Sequence, residues 1–566
     1  MIETKRIIRL ATYNCSHVSS HITIDKTALS CYHEVMYVAE IPNRNSPPAI
    51  LIRESFREDG KVKNRTIANI STWPAPRIAA LRLLLRGELD LASAAEPTSG
   101  PAFGLLHALH QVASDLGITG ALGHTRLGKL ALFLVLARIA HQGSRLSAVR
   151  WARDHAVAEV LGLAAFDEDD LYGALDDLCA RQEKIETKLW RNYLTRRETP
   201  PALFLYDVTS SYLEGEHNAL GQFGYNRDGK RGKLQIVIGL LADSLGEPLA
   251  VRVFAGNTSD PSTVAAQIEI LTKQFSIEDV IFVGDRGMVK KAGKKALDAV
   301  GFHYISALTD PQIRRLLSKK TIQLELFAEE VCEAEADGLR YVLRKNPAEA
   351  KRIRHRLEDK LGRLRDKIAQ RNKRVDQSSR CKPEAGLADL KRWVRRHKIV
   401  EMVSLQLDGR HIVETIDPQA ELRSLELAGC YVIVTDVVKD KLDAEAVHAS
   451  YMALQKVERD FRTMKTGLLE IRPLFVRKES RTRGHVFCCL LALKLQRELE
   501  RRLAAVFGTT AQDPQAVTVS DALAALGRLC LLIFNVDQKT TLTRLPKPDQ
   551  HQSKILDALK VSLPSK

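Results

Sequence analysis

Residues 204–210 read FLYDVTS and place one carboxylate inside a run of strand-forming side chains. Phenylalanine, leucine, tyrosine, valine and threonine are enriched in β-strands, so this near-continuous apolar run predicts a buried strand. A carboxylate there is costly to bury unless it is paired with a cation or holds a metal. Asp207 is therefore either a salt-bridged or strand-end residue, or part of a functional site.

Two further acids favour the functional site. The stretch VIFVGD at 280–285 predicts a strand that ends in Asp285, and residues 444–467 predict a helix. Glu458 borders the apolar stripe of that helix, as its spacing from the neighbouring apolar residues shows. For Glu458 alone, a simple ion pair with Arg462 one helical turn later is the stronger explanation. The combination of three acids is stronger evidence than any one of them.

Carboxylates from three distant segments suit metal-dependent chemistry on phosphates. Hard oxygen ligands such as Asp207, Asp285 and Glu458 suit Mg²⁺, with Mn²⁺ as the alternative metal. Two such ions about 4 Å apart activate an attacking oxygen and stabilise a leaving oxygen in phosphodiester displacement. Tyr451 and Lys465 lie seven residues to either side of Glu458 and share its helix face. These two side chains are therefore candidates for holding phosphates beside the metals.

The charge balance indicates a polyanionic partner. The chain has 85 Lys+Arg against 69 Asp+Glu, a formal net charge of +16. The simplest partner for this excess is nucleic acid, and the alternative is a basic but inert surface. The nine cysteines include no CxxC pair, which argues against a zinc ribbon or a disulfide scaffold. With neither a signal peptide nor an apolar run long enough to span a membrane, we expect a cytoplasmic, nucleoid-associated protein.

The length of 566 residues predicts several domains. Composition and periodicity divide the chain into a β-rich region at 1–100 that begins with a loose extension at 1–30, a helical region at 101–200 that is a candidate for DNA binding, an α/β region at 201–310, a region of broken rhythm with a basic helix at 311–445, a helical region at 446–540, and a mobile tail at 541–566.

Further local predictions concern nucleic-acid binding and secondary structure. The segments AILIRESF and KVKNRTIANI predict a hairpin, whose basic arm either grips phosphates or protects a solvated edge. The basic helix at 347–374 has either a solvated face or a face along a nucleic-acid backbone, and its lopsided charge favours the second. Further predicted elements are a strand-like piece at 321–328 and helices at 261–275, 485–505 and 519–535.

Several motifs together resemble one family, the bacterial insertion-sequence transposases of the DDE class, in the group with a Tyr-Arg-Glu-Lys signature. The motifs are YDVTS at 206–210, GNTSD at 256–260, VGDRGM at 283–288, YMALQKVERDFRTMK at 451–465, RPLFVRKESRTRGHVFCCLLALKL at 472–495 and REDGKVKNRTIANI at 57–70.

The signature around the late Glu matches in part. It runs Tyr, two residues, Arg, three residues, Glu, six residues, Lys, and Tyr451, Glu458 and Lys465 match it. Leu454 stands where the signature has Arg, so Arg462 is the substitute for that phosphate contact. The resemblance implies a ribonuclease H-like α/β fold with a mixed sheet. It puts the acids on the first strand, the fourth strand and a late helix, with an insertion domain before the helix. The resemblance thus implies that 201–310 and 446–540 are the two parts of a catalytic core and that 311–445 is an insertion domain.

The resemblance also implies an activity. Asp207, Asp285 and Glu458 bind the metal pair, water cuts at the transposon end, and a 3′-hydroxyl then attacks the target. Arg286 assists at phosphate. The implied partners are double-stranded DNA, as terminal inverted repeats and as target, and a second copy of the chain, because two ends are handled together.

Other residues near the motifs keep simpler explanations. Asn257 and Asp260 either contribute to the site or form a turn and a helix cap, and His485 is a packed or capping histidine. Two rival functions stay open: a nuclease of the same fold without strand transfer, and a transposase-derived repressor without catalysis. The long insertion and the helical block argue against the first, and the presence of all three acids argues against the second.

Overall fold

The computed structural model describes residues 35–43, 47–58, 60–87, 97–286, 288–289, 291–465, 469, 471–472, 474–510, 513–535 and 541–564. Contacts divide the chain into two compact units. One comprises Met1–Ser99 with Leu532–Arg544, and the other comprises Gly100–Leu531 with Leu545–Lys566. The predicted N-terminal extension at 1–30 and the turn residue Asp59 lie outside the described residues.

The smaller unit contains a three-stranded antiparallel sheet. Its strands are β1 (Val35–Ile41), β2 (Ala49–Glu58) and β3 (Lys61–Asn69), and helix α1 (Ala75–Leu85) follows them. Strand β4 (Thr98–Ala102) lies where the sequence passes from this unit to the larger one. Strands β2 and β3 pair as an antiparallel hairpin down to Glu58 opposite Lys61, which confirms the predicted hairpin. Apolar residues of the sheet, Ile52 and Ile70, pack with Ile78 of α1 as a small core.

The larger unit is built on an eight-stranded mixed sheet. Its order is β10-β11-β14-β9-β8-β5-β6-β7. Strands β5, β8 and β9 are parallel to one another, whereas β6 and β7 are antiparallel to their neighbours. The first strand of this unit therefore lies beside the fourth, as the ribonuclease H-like prediction requires. The strands are β5 (Leu203–Tyr212), β6 (Gln235–Asp243), β7 (Pro248–Ala255), β8 (Ile281–Gly284), β9 (His303–Ala307), β10 (Cys332–Ala336), β11 (Leu339–Lys345) and β14 (Cys430–Thr435).

The helices of residues 101–200 pack against this sheet and do not form a separate core. Helix α4 is apolar nearly all round, and its buried face joins the cluster that includes buried residues of β5 and β6. The helices of this block are α2 (Gly104–Asp115), α3 (Ile118–Leu122), α4 (Arg126–Ala140), α5 (Arg145–Arg153), α6 (Val157–Leu161) and α7 (Glu168–Leu194). Helix α7 begins at a capping box formed by Asp167 and Asp170, and the long helix α16 (Glu479–Phe507) packs against it.

The predicted insertion at 311–445 divides into two parts. Its strands β10, β11 and β14 extend the main sheet, because they pair in register with one another and with β9. The rest has its own core, in which Leu361, Leu364 and Ile412 are buried. This part contains α11 (Pro347–Gln377), α12 (Pro383–Arg396), β12 (Val403–Asp408), β13 (His411–Ile416) and α13 (Pro418–Leu425).

The remaining helices of the larger unit flank the sheet or close the chain. They are α8 (Val264–Glu269), α9 (Lys291–Asp298), α10 (Asp310–Ser318), α14 (Ala444–Met452), α15 (Leu454–Lys465), α17 (Val519–Gly527) and α18 (Gln550–Leu559). Short 3₁₀ and π turns at Asp260–Thr263 and Ile270–Gln274 flank α8, so the predicted helix at 261–275 is irregular at both ends. Within the described residues, no helix combines the length and apolarity needed to cross a bilayer.

Four local predictions are wrong. The piece at 321–328 contains a 3₁₀ turn, Leu324–Leu326, and no strand. The predicted helix at 519–535 ends at Gly527, and the apolar run CLLIFN after it forms β15 (Cys530–Asn535), which pairs with β16 (Thr541–Arg544). The tail predicted to be mobile contains α18, whose Ile555 and Leu556 are buried. The predicted helix at 444–467 is two helices, α14 and α15, separated at Ala453.

Candidate active site

Two neighbouring strands present the two aspartates at one edge of the sheet. Strands β5 and β8 are parallel, and their register pairs Tyr206 with Gly284. Asp207 and Asp285 each follow that pair by one residue, so both carboxylates emerge beside each other. Because β5 and β8 are largely buried strands, this register is fixed by the core on which they pack.

The third acid comes from a helix that crosses the same strand. Helix α15 packs its buried side chains Val457 and Phe461 against β5, and Glu458 is exposed between them. The break at Ala453 lets α14 pack on β9 and β14 while α15 packs on β5 and β6. Tyr451 therefore does not share a continuous helix face with Glu458, although it reaches the same site.

The three acids line one pocket of about 370 Å³. Acidic side chains alternate there with basic ones, an arrangement suited to phosphate beside metal. The lining residues are Asp207, Val208, Thr209, Arg227, Asp228, Asp285, Glu458, Phe461, Arg462, Lys465 and Arg472. The structure thus brings together the three residues that the sequence placed far apart along the chain.

Asp207 is the most perturbed acid of the pocket. Its pKa is raised from 3.8 to about 7, first by burial and then by the nearby carboxylates of Asp285 and Glu458, whereas Arg227 lowers it. The backbone N–H of Val208 donates to Asp207 Oδ1 at 2.7 Å, which opposes the rise. Like charges crowded in one pocket favour a bound cation, because a cation relieves both burial and repulsion.

The acidic side chains of the pocket are of the type that binds a divalent metal, but they are not close enough together to hold one as they stand. Three carboxylates are the ligands that Mg²⁺ and Mn²⁺ prefer. Among the described residues, no group of three or more His, Cys, Asp or Glu side chains is close enough to hold a metal ion as it stands. Mg²⁺ usually takes only one or two carboxylates and keeps several waters or phosphate oxygens, so a metal at this site would share its coordination with water or substrate.

The raised pKa of Asp207 predicts a pH-dependent gain in stability for Asp207→Asn. A folded-state pKa above the unfolded value means that the stability contributed by this group is fully present below pH 4. It is lost as pH rises to about 7. In metal-free buffer we expect Asp207→Asn to have a higher Tm than wild type at pH 8, corresponding to about 1 kcal/mol or more, and a smaller gain at pH 5.

Thermal melting at both pH values measures this difference. Asp359→Asn is the control, because it removes an exposed carboxyl of α11. A variant Asp207→Asn that melts below wild type at pH 8 would contradict the electrostatic crowding of the pocket.

The predicted phosphate-binding residues lie at or beside the pocket. Tyr451 Oη donates to Asp285 Oδ1 at 3.2 Å, and burial together with Asp285 raises the pKa of this phenol. Lys465 and Arg462 line the pocket itself. Arg286 instead lines an adjacent pocket of about 490 Å³ and pairs with Asp310 at 3.4 Å. Leu454, in the place of the signature Arg, is buried and cannot contact a phosphate.

Sequence reasoning missed three charged residues of the pocket. Arg227 binds both carboxylate oxygens of Asp260, at 2.6 and 2.7 Å. Asp228 pairs with both Lys465 and Arg472. The stretch NRDG at 226–229 is a turn signal, but a turn signal does not predict partners that lie more than two hundred residues away.

The structure also distinguishes between the alternative explanations for Asn257, Asp260 and His485. Asp260 does not cap the helix that follows, since its carboxylate is engaged by Arg227, and no side chain caps that turn. Both Asn257 and Asp260 line the pocket that contains Arg286. His485 is fully buried in α16, and burial holds its pKa well below the usual value, as for a packed histidine.

Comparison with known proteins identifies two family matches. The family described as "Transposase DDE domain" matches residues 198–495, which is more than half of the 566 residues. The family described as "IS1634 family transposase, N-terminal domain" matches residues 38–98. Among curated proteins, none matches this sequence.

Similar solved structures include two transposase complexes. A cryo-EM structure of the piggyBac transposase synaptic complex with hairpin DNA has 9% identity and a TM-score of 0.33, and the match covers 76% of this chain and 81% of that one. The Mos1 transposase paired-end complex with left transposon end has 12% identity and a TM-score of 0.14, covering 26% of this chain and 52% of that one.

Proposed function

Because this chain belongs to the family of DDE-domain transposases, we propose that Asp207, Asp285 and Glu458 are its catalytic carboxylates and metal ligands. The observation that carries this proposal is the common pocket that all three line. A transposase of this family is a metal-dependent enzyme that cuts and joins DNA. The three carboxylates would hold the metal, for which we propose Mg²⁺ with Mn²⁺ as substitute, and the metal would supply activation of the attacking oxygen and charge neutralisation at the leaving oxygen.

The side chains of the pocket have separate roles in this proposal. Asp207, Asp285 and Glu458 supply negative oxygens, and Lys465 and Arg462 contact the phosphate next to the scissile bond. Tyr451 holds Asp285 through its hydroxyl, which limits the orientations of that carboxylate. Arg286, in the adjacent pocket, contacts a neighbouring phosphate of the same strand.

The DNA partners in this proposal are the terminal inverted repeats of a transposon and a target duplex. The exposed basic side chains of α11 support a backbone contact, because Lys351, Arg354 and Arg363 all point to solvent. We also propose that two copies act together, since two ends must be joined, and that the protein works on DNA in the cytoplasm, at the nucleoid.

Removing divalent cations should abolish cleavage. We expect no cutting of a labelled duplex carrying the inverted repeat that flanks the reading frame when EDTA is present, and recovery on adding Mg²⁺ or Mn²⁺. The same ions should raise the Tm of the wild-type protein and leave the Tm of Asp207→Asn unchanged, because only the former retains the complete ligand set.

A joining assay then separates the rival functions. Transfer of the cut 3′ end into a second duplex supports a transposase, cleavage without joining supports a nuclease, and binding without cleavage supports a repressor. Cleavage that persists in EDTA would contradict the metal-dependent mechanism.

A further inference from the structure

Asp228 is a buried acid in the active-site pocket that matches none of the three expected carboxylates. It lies in the loop between β5 and β6, and its side chain is only 1% exposed. Lys465 Nζ donates to Asp228 Oδ1 at 2.8 Å, and Arg472 Nη1 donates to the same oxygen at 2.5 Å. The backbone N–H of Tyr212, on β5, donates to the other oxygen at 3.3 Å. One carboxylate therefore holds two cations.

The loop that carries Asp228 is fixed by its own hydrogen bonds. The side chain of Asn226 accepts from the backbone N–H of Asp228 at 2.9 Å and donates to the carbonyl of Lys230 at 2.7 Å. The N–H of Arg227 donates to Ser210 Oγ on β5 at 2.9 Å. Asp228 is thus anchored to the strand that carries Asp207, so its position is set by the sheet.

The two cations need this anchor. The side chains of Lys465 and Arg472 are 11% and 25% exposed, and both line the pocket that contains the three acids. Burial lowers the pKa of Lys465, Arg472 lowers it too, and Asp228 opposes both effects. Without the negative charge of Asp228, two buried cations would repel each other and lose their fixed geometry.

We propose that Asp228 is a positioning residue that orients Lys465 and Arg472 toward the scissile phosphate. Lysine has three N–H donors and arginine five, so the contacts to Asp228 leave donors for the phosphate oxygens. Asp228 binds neither DNA nor metal in this role. The inference rests on the proposed function, because it takes the three acids as the place where the phosphate reacts.

Asp228→Asn separates positioning from DNA contact. We expect the single-turnover cleavage rate to fall at least 10-fold, while the Kd for the transposon-end duplex stays unchanged or decreases, since the pocket loses a negative charge. Asp243→Asn is the matched control. Asp243 is equally buried and also binds an arginine, Arg197, at 2.7 Å, but it lies at the end of β6 opposite Phe204. It should lower Tm without lowering the cleavage rate of the folded enzyme.

A second variant keeps the test informative if Asp228→Asn folds poorly. The double variant Asp228→Asn with Lys465→Met also removes the lysine that Asp228→Asn leaves without its carboxylate partner. Because the two residues act as a pair, the loss of cleavage rate in the double variant should be smaller than the product of the losses in the two single variants. Wild-type cleavage rates in Asp228→Asn, or rates that fall equally in Asp243→Asn, would overturn the proposal. If wild type itself cuts no DNA, the proposed function fails first, so the two failures are distinguishable.

Discussion

Asp207→Asn should abolish DNA cleavage while leaving DNA binding intact. The substitution preserves shape but replaces a charged oxygen ligand by a neutral amide, and a catalytic metal contributes several kcal/mol to the transition state. Because each 1.36 kcal/mol is a factor of ten in rate, we expect a loss of at least about 10³-fold. Cleavage of labelled ends measures the rate, and gel-shift titration measures the Kd.

Asp436→Asn is the matched control for this loss. Asp436 directly follows β14 of the same sheet, as Asp285 follows β8, but it accepts from the backbone N–H of Tyr304 at 2.8 Å outside the acidic pocket. We expect it to cleave at the wild-type rate. Near-normal cleavage by Asp207→Asn would remove this residue from the catalytic set.

Gly484→Ala should destabilise the larger unit strongly. A Cβ at Gly484 in α16 would lie 2.0 Å from the carbonyl oxygen of Leu175 in α7, so the two helix backbones would have to separate. Overpacking of this kind costs about 3 kcal/mol or more when the obstacle is backbone. We expect a clear fall in Tm and in the yield of folded protein.

Gly362→Ala provides the opposite result for the same chemical change. A Cβ at this glycine of α11 meets no atom within 4 Å, so the alanine only improves helix propensity. We expect a gain of about 0.5–1 kcal/mol for the insertion core. If both variants melt alike, α7 and α16 are not in the close contact described above.

The three acids that line the pocket could be found in the sequence because each gives a local signal. Asp207 interrupts an apolar strand, Asp285 ends one, and Glu458 borders an apolar helical stripe. These signals are patterns of apolar residues over a short stretch of sequence. The resemblance to the transposase family supplied the strand order that brings the three acids together. The ribonuclease H-like mixed sheet is confirmed, since β5 pairs in parallel with β8 and antiparallel with β6. Its strands could be predicted because they are runs of apolar residues.

The features that were missed depend on distant contacts. No glycine or proline marks the break at Ala453, which arises because α14 and α15 pack on different strands. Asp228 lies in a loop with no periodicity, and its partners Lys465 and Arg472 lie 237 and 244 residues further along the chain. Only Arg528 and Leu529 separate β15 from α17, and the leucine-rich run of the strand continues the apolar character of the helix, so the sequence predicts one helix through both. Local sequence patterns do not show which distant elements or side chains pack together.

The arrival of Glu458 on a late helix affects how the protein behaves while it is being made. A ribosome adding about 5–20 residues per second needs roughly 10–35 s to travel from residue 285 to residue 458. During that interval the growing polypeptide lacks one of the three acids that line the pocket. Under the proposed assignment of Glu458 as a metal ligand, nascent chains and fragments that end before α15 should cut no DNA, so cleavage activity should arise only after translation has passed α15.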